Sequence, residues 1–151
     1  NCGLLVPELV ARLHTVLKAT NAGVVLTSSW RSFEELRPLA IAALPVARTI
    51  GQTTRSYTDH TRLKEIADFL VLPEVARGME AMQQTQHEEK QHPSWAVLDD
   101  MDLLAQANDP TLGLPEEFQQ QFARRFVRTD ASAGLDDASA AQLISILRGQ
   151  D

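Results

Sequence analysis

Two adjacent carboxylates, Asp99 and Asp100, end an uncharged apolar run that begins at Trp95. A run of this kind predicts a strand buried on both faces, as in a parallel sheet. The carboxylates would then lie at the carboxyl edge of the sheet, where open α/β folds bind ligands. Because neighbouring carboxylates repel each other, holding them together favours a cation or several hydrogen-bond donors. A turn or a helix N-cap after the strand explains the same pair, since Asp is common at both.

A second predicted strand ends in hydroxyl groups. The apolar segment Val24-Val25-Leu26 is followed by Thr27, Ser28, Ser29, Trp30 and Arg31. Hydroxyls and the backbone N–H groups around them can hold phosphoryl oxygens, and an Arg can add a bidentate contact. Helix capping is the alternative, because Ser32 and Glu35 have the spacing of a capping box. That box leaves the three hydroxyls before it unexplained.

A cation, Arg62, lies in the first turn of a predicted helix whose apolar face includes Leu63 and Ile66. A positive charge is unfavourable at this end of the helix dipole. Glu65, three residues later, could pair with Arg62. Arg62 could instead point at an anion, and the spacing favours neither interpretation.

Residues 72–93 are rich in Gln, Glu and His, which predicts a polar insertion, either a solvated helix or a mobile segment. His87 and His92, with Glu88 and Glu89, could be drawn as a metal site. Two His on one helix face bind a metal best at i and i+4, whereas these two are five apart. A solvated surface is the favoured interpretation.

Helical and strand patterns alternate along the chain, which predicts an α/β fold with a mostly parallel sheet and helices on both faces. Strands are predicted at 24–26, 44–50, 95–98 and 126–127, and the first helix at 7–19. At 151 residues, one domain is the simplest organisation.

The net charge of -6 argues against a broad basic surface for nucleic acid, although a local basic pocket is compatible with it. The single cysteine, Cys2, excludes an internal disulfide and fits a reducing compartment such as the cytoplasm. No apolar run approaches the roughly 18 residues of a membrane span, so no membrane partner is expected.

Four segments in order resemble the haloacid dehalogenase (HAD) superfamily, and most closely the HAD-like domains of "Swiss Army Knife" RNA repair proteins. Those domains combine a hydrophobic strand ending in Ser-Ser-Trp-Arg, an Arg-x-x-Glu-Ile helix start, a Leu-Asp-Asp strand end and a tail with Thr-Asp and Gly-Leu. The corresponding segments here are residues 24–31, 61–66, 95–100 and 129–135. The resemblance implies a three-layer Rossmannoid parallel sheet with helices on both faces.

The resemblance also implies roles in catalysis. Thr27, with Ser28 as the alternative, is similar to the hydroxyl that binds the transferred phosphoryl group. Arg62, with Lys64 as the runner-up, resembles the cation that neutralises charge on the intermediate.

The remaining implied roles concern the metal and the substrate. Asp99 and Asp100 resemble the family's acidic motif that holds Mg²⁺. Ser29, Arg31 and Lys64 are expected to contact the substrate. The implied function is a Mg²⁺-dependent phosphohydrolase of the HAD type, acting on a small phosphate ester or a nucleic-acid end.

The chain departs from the family pattern in one place. The first family motif, Asp-x-Asp-x-x-Leu, supplies the nucleophile and the general acid from the strand before the first helix, and nothing of that form precedes Val6. We therefore expect residues 1–151 to be one HAD-like domain that is N-terminally incomplete. In the family that strand is central, between the strands at Val24 and Val97, so without it two buried strand edges lack partners. The 151-residue chain alone is expected to lack phosphatase activity and to be poorly stable.

Two other functions remain open from the sequence. The chain could be a catalytically inactive HAD-like domain that binds a phosphate or a protein partner. It could also be a plain α/β interaction domain in which the motifs occur by coincidence.

Overall fold

The computed structural model describes residues 6–27, 33–44, 49–53, 62–84 and 94–149. Helices and short strands alternate through these ranges, which confirms the α/β class. The helices are α1 (Pro7–Thr20), α2 (Leu36–Ala43), α3 (Arg62–Leu70), α4 (Pro73–Gln84), α5 (Leu103–Ala107), α6 (Glu116–Arg125) and α7 (Asp137–Leu147). The strands are β1 (Val24–Leu26), β2 (Thr49–Gln52), β3 (Val97–Asp99) and β4 (Phe126–Arg128).

The described strands form two parallel pairs, as the alternating pattern predicts. β1 pairs with β2, and β3 pairs with β4. Each ladder continues one residue past its strands, since Thr53 N donates to Leu26 O at 3.0 Å and Thr129 N donates to Asp99 O at 2.9 Å. The second described strand, Thr49–Gln52, overlaps the end of the expected 44–50, and residues 45–48 lie outside the described residues.

The strands β3 and β4 place side chains into two separate apolar clusters. Val97 and Phe126 belong to a cluster formed with α3, α5 and α6. Leu98 and Val127, one residue further along each strand, belong to a cluster formed with α1 and α7. Because successive residues of a strand point to opposite faces, helices cover both faces of this pair.

Four aromatic rings connect α6 to the start of β3 and to β4. The ring of Trp95 stacks on Phe118 at 6.0 Å between centroids, Phe118 on Phe122 at 6.0 Å, and Phe122 on Phe126 at 5.1 Å. The guanidinium of Arg125 lies over the Trp95 ring and also donates to Trp95 O at 3.1 Å. These contacts fix the entry into β3, and therefore the position at which its carboxyl end emerges.

An apolar groove of about 410 Å³ lies between β1 and β3. It is lined by β1 with Thr27 on one side and by residues 95–98 on the other, and none of its lining residues is charged. Among the described strands, β1 is paired with β2 alone and β3 with β4 alone. Both strand edges therefore face a space with apolar walls.

Within the described ranges, no helix is both long enough and apolar enough to cross a bilayer.

Candidate functional site

An ion pair between Arg62 and Asp99 forms the centre of the candidate site. Nη1 of Arg62 donates to both carboxylate oxygens of Asp99, at 2.7 Å to Oδ2 and 3.0 Å to Oδ1. The Asp99 side chain is 4% exposed and the Arg62 side chain 24%. A carboxylate this deeply buried needs a charged partner, and Arg62 supplies it across 37 residues of sequence.

Asp99 is held rigidly on its own side of this pair. It is the last residue of β3, its carbonyl oxygen accepts from Thr129, and its Oδ1 also accepts from Met101 N at 3.0 Å. The bond to Met101 closes the turn after the strand. The turn that the sequence allowed as an alternative is therefore present together with the charge partner.

Arg62 is positioned by the packing of α3. Leu63 and Ile66 are buried in the cluster beneath the β3–β4 pair, which fixes the direction of the helix. The N–H of Leu63, which has no partner within the helix, points to Oε1 of Gln106 at 3.5 Å. The first turn of α3 is thus anchored to α5, and Arg62 is aimed at Asp99.

The second carboxylate, Asp100, is exposed and follows Asp99 directly. Arg128 at the end of β4 lies beside it, with Nε donating to Asp100 O at 3.4 Å and Nη1 lying 3.3 Å from Oδ2 of Asp102. Asp102 in turn caps α5 by accepting from Ala105 N at 3.2 Å. Asp102 therefore has a structural role, whereas Asp100 lies next to the Arg62–Asp99 ion pair and faces solvent.

Thr27 lies just past β1 and lines the groove. Thr53, whose N–H donates to Leu26 O, is 2% exposed, and its Oγ1 makes no hydrogen bond with any residue that the structure describes. No sequence pattern marks Thr53, because its burial arises from packing.

The other predicted residues fall into two groups. Lys64 is directed along α3, where its Nζ lies 2.5 Å from Oδ1 of Asp68, and Asp99 is paired with Arg62 instead. Outside the described residues lie Ser28, Ser29 and Arg31, and also His87, Glu88, Glu89 and His92.

The Thr-Asp and Gly-Leu tail forms a tight turn between β4 and α7. The Asp130 carboxylate accepts from the Ser132 hydroxyl and from the N–H groups of Ser132 and Ala133. The Ser132 hydroxyl, followed by the two N–H groups, lowers the pKa of Asp130. Gly134 closes the turn with φ of 69°, and its N–H donates to Asp130 O at 2.7 Å. This part of the pattern has a structural explanation.

The donor chemistry of the site fits a hard cation. Mg²⁺ usually binds through one or two carboxylates and completes its shell with water and phosphate oxygens. Asp99 and Asp100 are the carboxylates that would hold such an ion. Within the described ranges no group of three or more His, Cys, Asp or Glu side chains is arranged to hold a metal by itself, so further oxygens would have to complete the coordination.

A known family model matches most of the chain. The family model for the HAD domain in Swiss Army Knife RNA repair proteins matches residues 3–140. The chain belongs to this family. The match includes both members of the Arg62–Asp99 pair and Thr27. No curated protein and no solved structure gave a significant match.

Membership in the HAD family decides one of the alternatives from the sequence. A match over residues 3–140 is incompatible with motifs that occur by coincidence. The family implies a HAD-type phosphohydrolase and connects the chain with RNA repair proteins.

Proposed function

We propose that this chain is the phosphohydrolase domain of a Mg²⁺-dependent HAD enzyme, with its site at the carboxyl ends of β1 and β3. The observation that carries the proposal is the buried Arg62–Asp99 pair beside exposed Asp100. A cation and two carboxylates at one sheet edge can hold a metal ion and a phosphoryl group together.

The proposed roles follow the family pattern. Asp99 and Asp100 would hold Mg²⁺, which when bound supplies Lewis acidity and neutralises charge on the phosphoryl oxygens. Arg62 offsets the negative charge of the phosphoryl group, and the hydroxyl of Thr27 donates a hydrogen bond to it. Ser28 is the alternative residue for the role of Thr27.

The proposed substrate is a phosphate ester, and the link to RNA repair proteins supports a nucleic-acid end. Ser29, Arg31 and Lys64 are the residues proposed to contact it. The net charge of -6 favours local contacts with one phosphorylated end over a broad grip on a strand. A cytoplasmic setting is part of the proposal and rests on the single cysteine.

We also propose that the groove between β1 and β3 takes one extended strand. The uncharged lining suits an apolar segment, and both flanking strands could extend their ladders to it. The complete sheet would have the order β2, β1, added strand, β3, β4, with helices on both faces in a three-layer Rossmannoid arrangement. The carboxyl end of such a strand would emerge between Thr27 and Asp99, where a nucleophilic carboxylate is needed.

The metal site is tested by binding rather than by turnover. We expect Mn²⁺ to bind the chain, as followed by electron paramagnetic resonance, and Mg²⁺ to displace it. Replacing both Asp99 and Asp100 with Asn should abolish this binding, whereas Asp68→Asn, which changes an exposed carboxylate on α3, should leave it unchanged. Equal Mn²⁺ binding by the double variant would refute the assignment.

The catalytically inactive phosphate-binding domain is the second candidate function. It is favoured by one observation, that Nη1 of Arg62 already binds both carboxylate oxygens of Asp99, the proposed metal ligand. A short synthetic peptide with an apolar run followed by Asp-x-Asp distinguishes the two functions. Hydrolysis of a phosphate ester only when this peptide is added, and not with its Asn-x-Asn counterpart, supports the enzyme. Phosphate binding with no hydrolysis under either condition supports the inactive domain.

A further inference from the structure

Arg62 is proposed to bind the phosphoryl group and Asp99 to bind Mg²⁺, yet in the structure these two side chains bind each other. Nη1 of Arg62 lies within 3.0 Å of both Asp99 oxygens. One of those oxygens also accepts from Met101 N. Little of the carboxylate is left for a cation while Arg62 stays in this position.

The two partners differ in how easily they can move. Asp99 is fixed by the β3–β4 ladder and the Met101 turn, and its side chain is 4% exposed. Arg62 begins α3, carries a long side chain and is 24% exposed. If the pair opens, Arg62 is therefore the residue that moves.

We propose that Arg62 exchanges between Asp99 and the bound phosphoryl group, and that this exchange couples the binding of Mg²⁺ and phosphate. A phosphoryl anion would draw the guanidinium away from Asp99, and the freed carboxylate would then be available to hold the cation. This inference rests on the proposed function, because it takes Asp99 as a metal ligand and Arg62 as a phosphoryl ligand.

The electrostatics give the coupling its sign. A divalent cation on Asp99 and the guanidinium in its present place would be like charges a few ångströms apart, which is unfavourable in a partly buried site. Phosphate removes that repulsion by pairing with Arg62. By linkage, Mg²⁺ must increase phosphate affinity by the same factor as phosphate increases Mg²⁺ affinity.

The test measures affinities of inorganic phosphate and of Mg²⁺ for the full chain by titration calorimetry. Without metal, Asp99→Asn should raise phosphate affinity about tenfold, within the usual range of coupling between sites, because Arg62 loses its competing partner. Asp102→Asn is the matched control, since it removes a nearby carboxylate that lies beside Arg128 and leaves a side chain that can still cap α5, and it should change phosphate affinity less than about twofold, as for an exposed charge.

The second half of the test measures the affinity for Mg²⁺. Without phosphate, Arg62→Gln should raise Mg²⁺ affinity, whereas Arg77→Gln on α4 should not, because Arg77 donates to Pro73 O on its own helix. Phosphate should increase Mg²⁺ affinity several-fold more in the parent chain than in the Arg62→Gln variant. Circular dichroism melts of each variant identify those that fold.

The failures can be told apart. A parent chain that binds neither Mg²⁺ nor phosphate at millimolar concentration overturns the proposed function and this inference with it. A parent chain that binds both, with Asp99→Asn and Asp102→Asn shifting phosphate affinity equally, overturns the exchange and leaves the metal site standing. Unchanged Mg²⁺ affinity in Arg62→Gln would do the same.

Discussion

Replacing Thr53 with Val is expected to stabilise the protein. Thr53 is 2% exposed, and among the described residues its Oγ1 has no hydrogen-bond partner. A hydroxyl buried in this way costs about 1–3 kcal/mol in protein mutational data. Val keeps the β-branched shape and the backbone bond from Thr53 N to Leu26 O, so the change removes the buried oxygen and little else.

The expected gain is measurable by ordinary unfolding. At this chain length, 1 kcal/mol corresponds to roughly 2–4 °C in Tm, so Thr53→Val should melt at least about 2 °C higher than the parent. Thr20→Val is the control, because the Thr20 hydroxyl donates to Val16 O at 2.8 Å and its removal should give no such gain. A Thr53→Val variant with an equal or lower Tm would refute the reasoning.

Three further predictions concern the fold. Replacing Phe122, which is fully buried in the aromatic stack, with Ala should lower the protein's unfolding free energy by about 3–5 kcal/mol, as measured by urea titration. A loss below about 1 kcal/mol would contradict its place in the core. Gly134→Ala should lower the unfolding free energy by about 1–2 kcal/mol because the backbone there is left-handed. The loss should exceed that of Gly113→Ala, since a Cβ at Gly134 would lie 2.6 Å from Leu9 Cδ1 whereas a Cβ at Gly113 would have nothing within 4 Å. Equal Tm values for the two variants would contradict this. Asp136 caps α7, and its pKa is lowered chiefly by the hydrogen bond that it accepts from a backbone N–H. Asp136→Ala should therefore lose the full stabilising effect of this carboxylate at neutral pH, and the difference from the parent should shrink as the pH falls below about 4 and through the folded-state pKa. A difference in stability that does not depend on pH would contradict this.

Local sequence patterns were sufficient to locate most of the strands. The short segments at 24–26, 97–99 and 126–128 form strands because they begin with β-branched or aromatic residues and carry no charge before their last position. The acidic end of β3 was found for the same reason. The helical spacing of the apolar residues predicts α3, with Arg62 in its first turn.

The partners of these residues were not readable from local patterns. Arg62 has two possible partners by spacing, Glu65 and an anion, whereas its observed partner Asp99 lies 37 residues away. The contact between Gln106 and the first turn of α3 also spans 43 residues. Both depend on how α3 and α5 pack on β3, which only the folded chain determines. The orphaned hydroxyl of Thr53 arises in the same way.

A crystal structure of the full chain grown with Mn²⁺ and inorganic phosphate would test the central claim most directly. Mn²⁺ can be located by its anomalous scattering. We predict the metal on oxygens of Asp99 and Asp100, phosphate beside Thr27, and the Arg62 guanidinium turned from Asp99 towards the phosphate. Metal bound elsewhere, with the Arg62–Asp99 pair intact and no phosphate at this edge, would contradict the account.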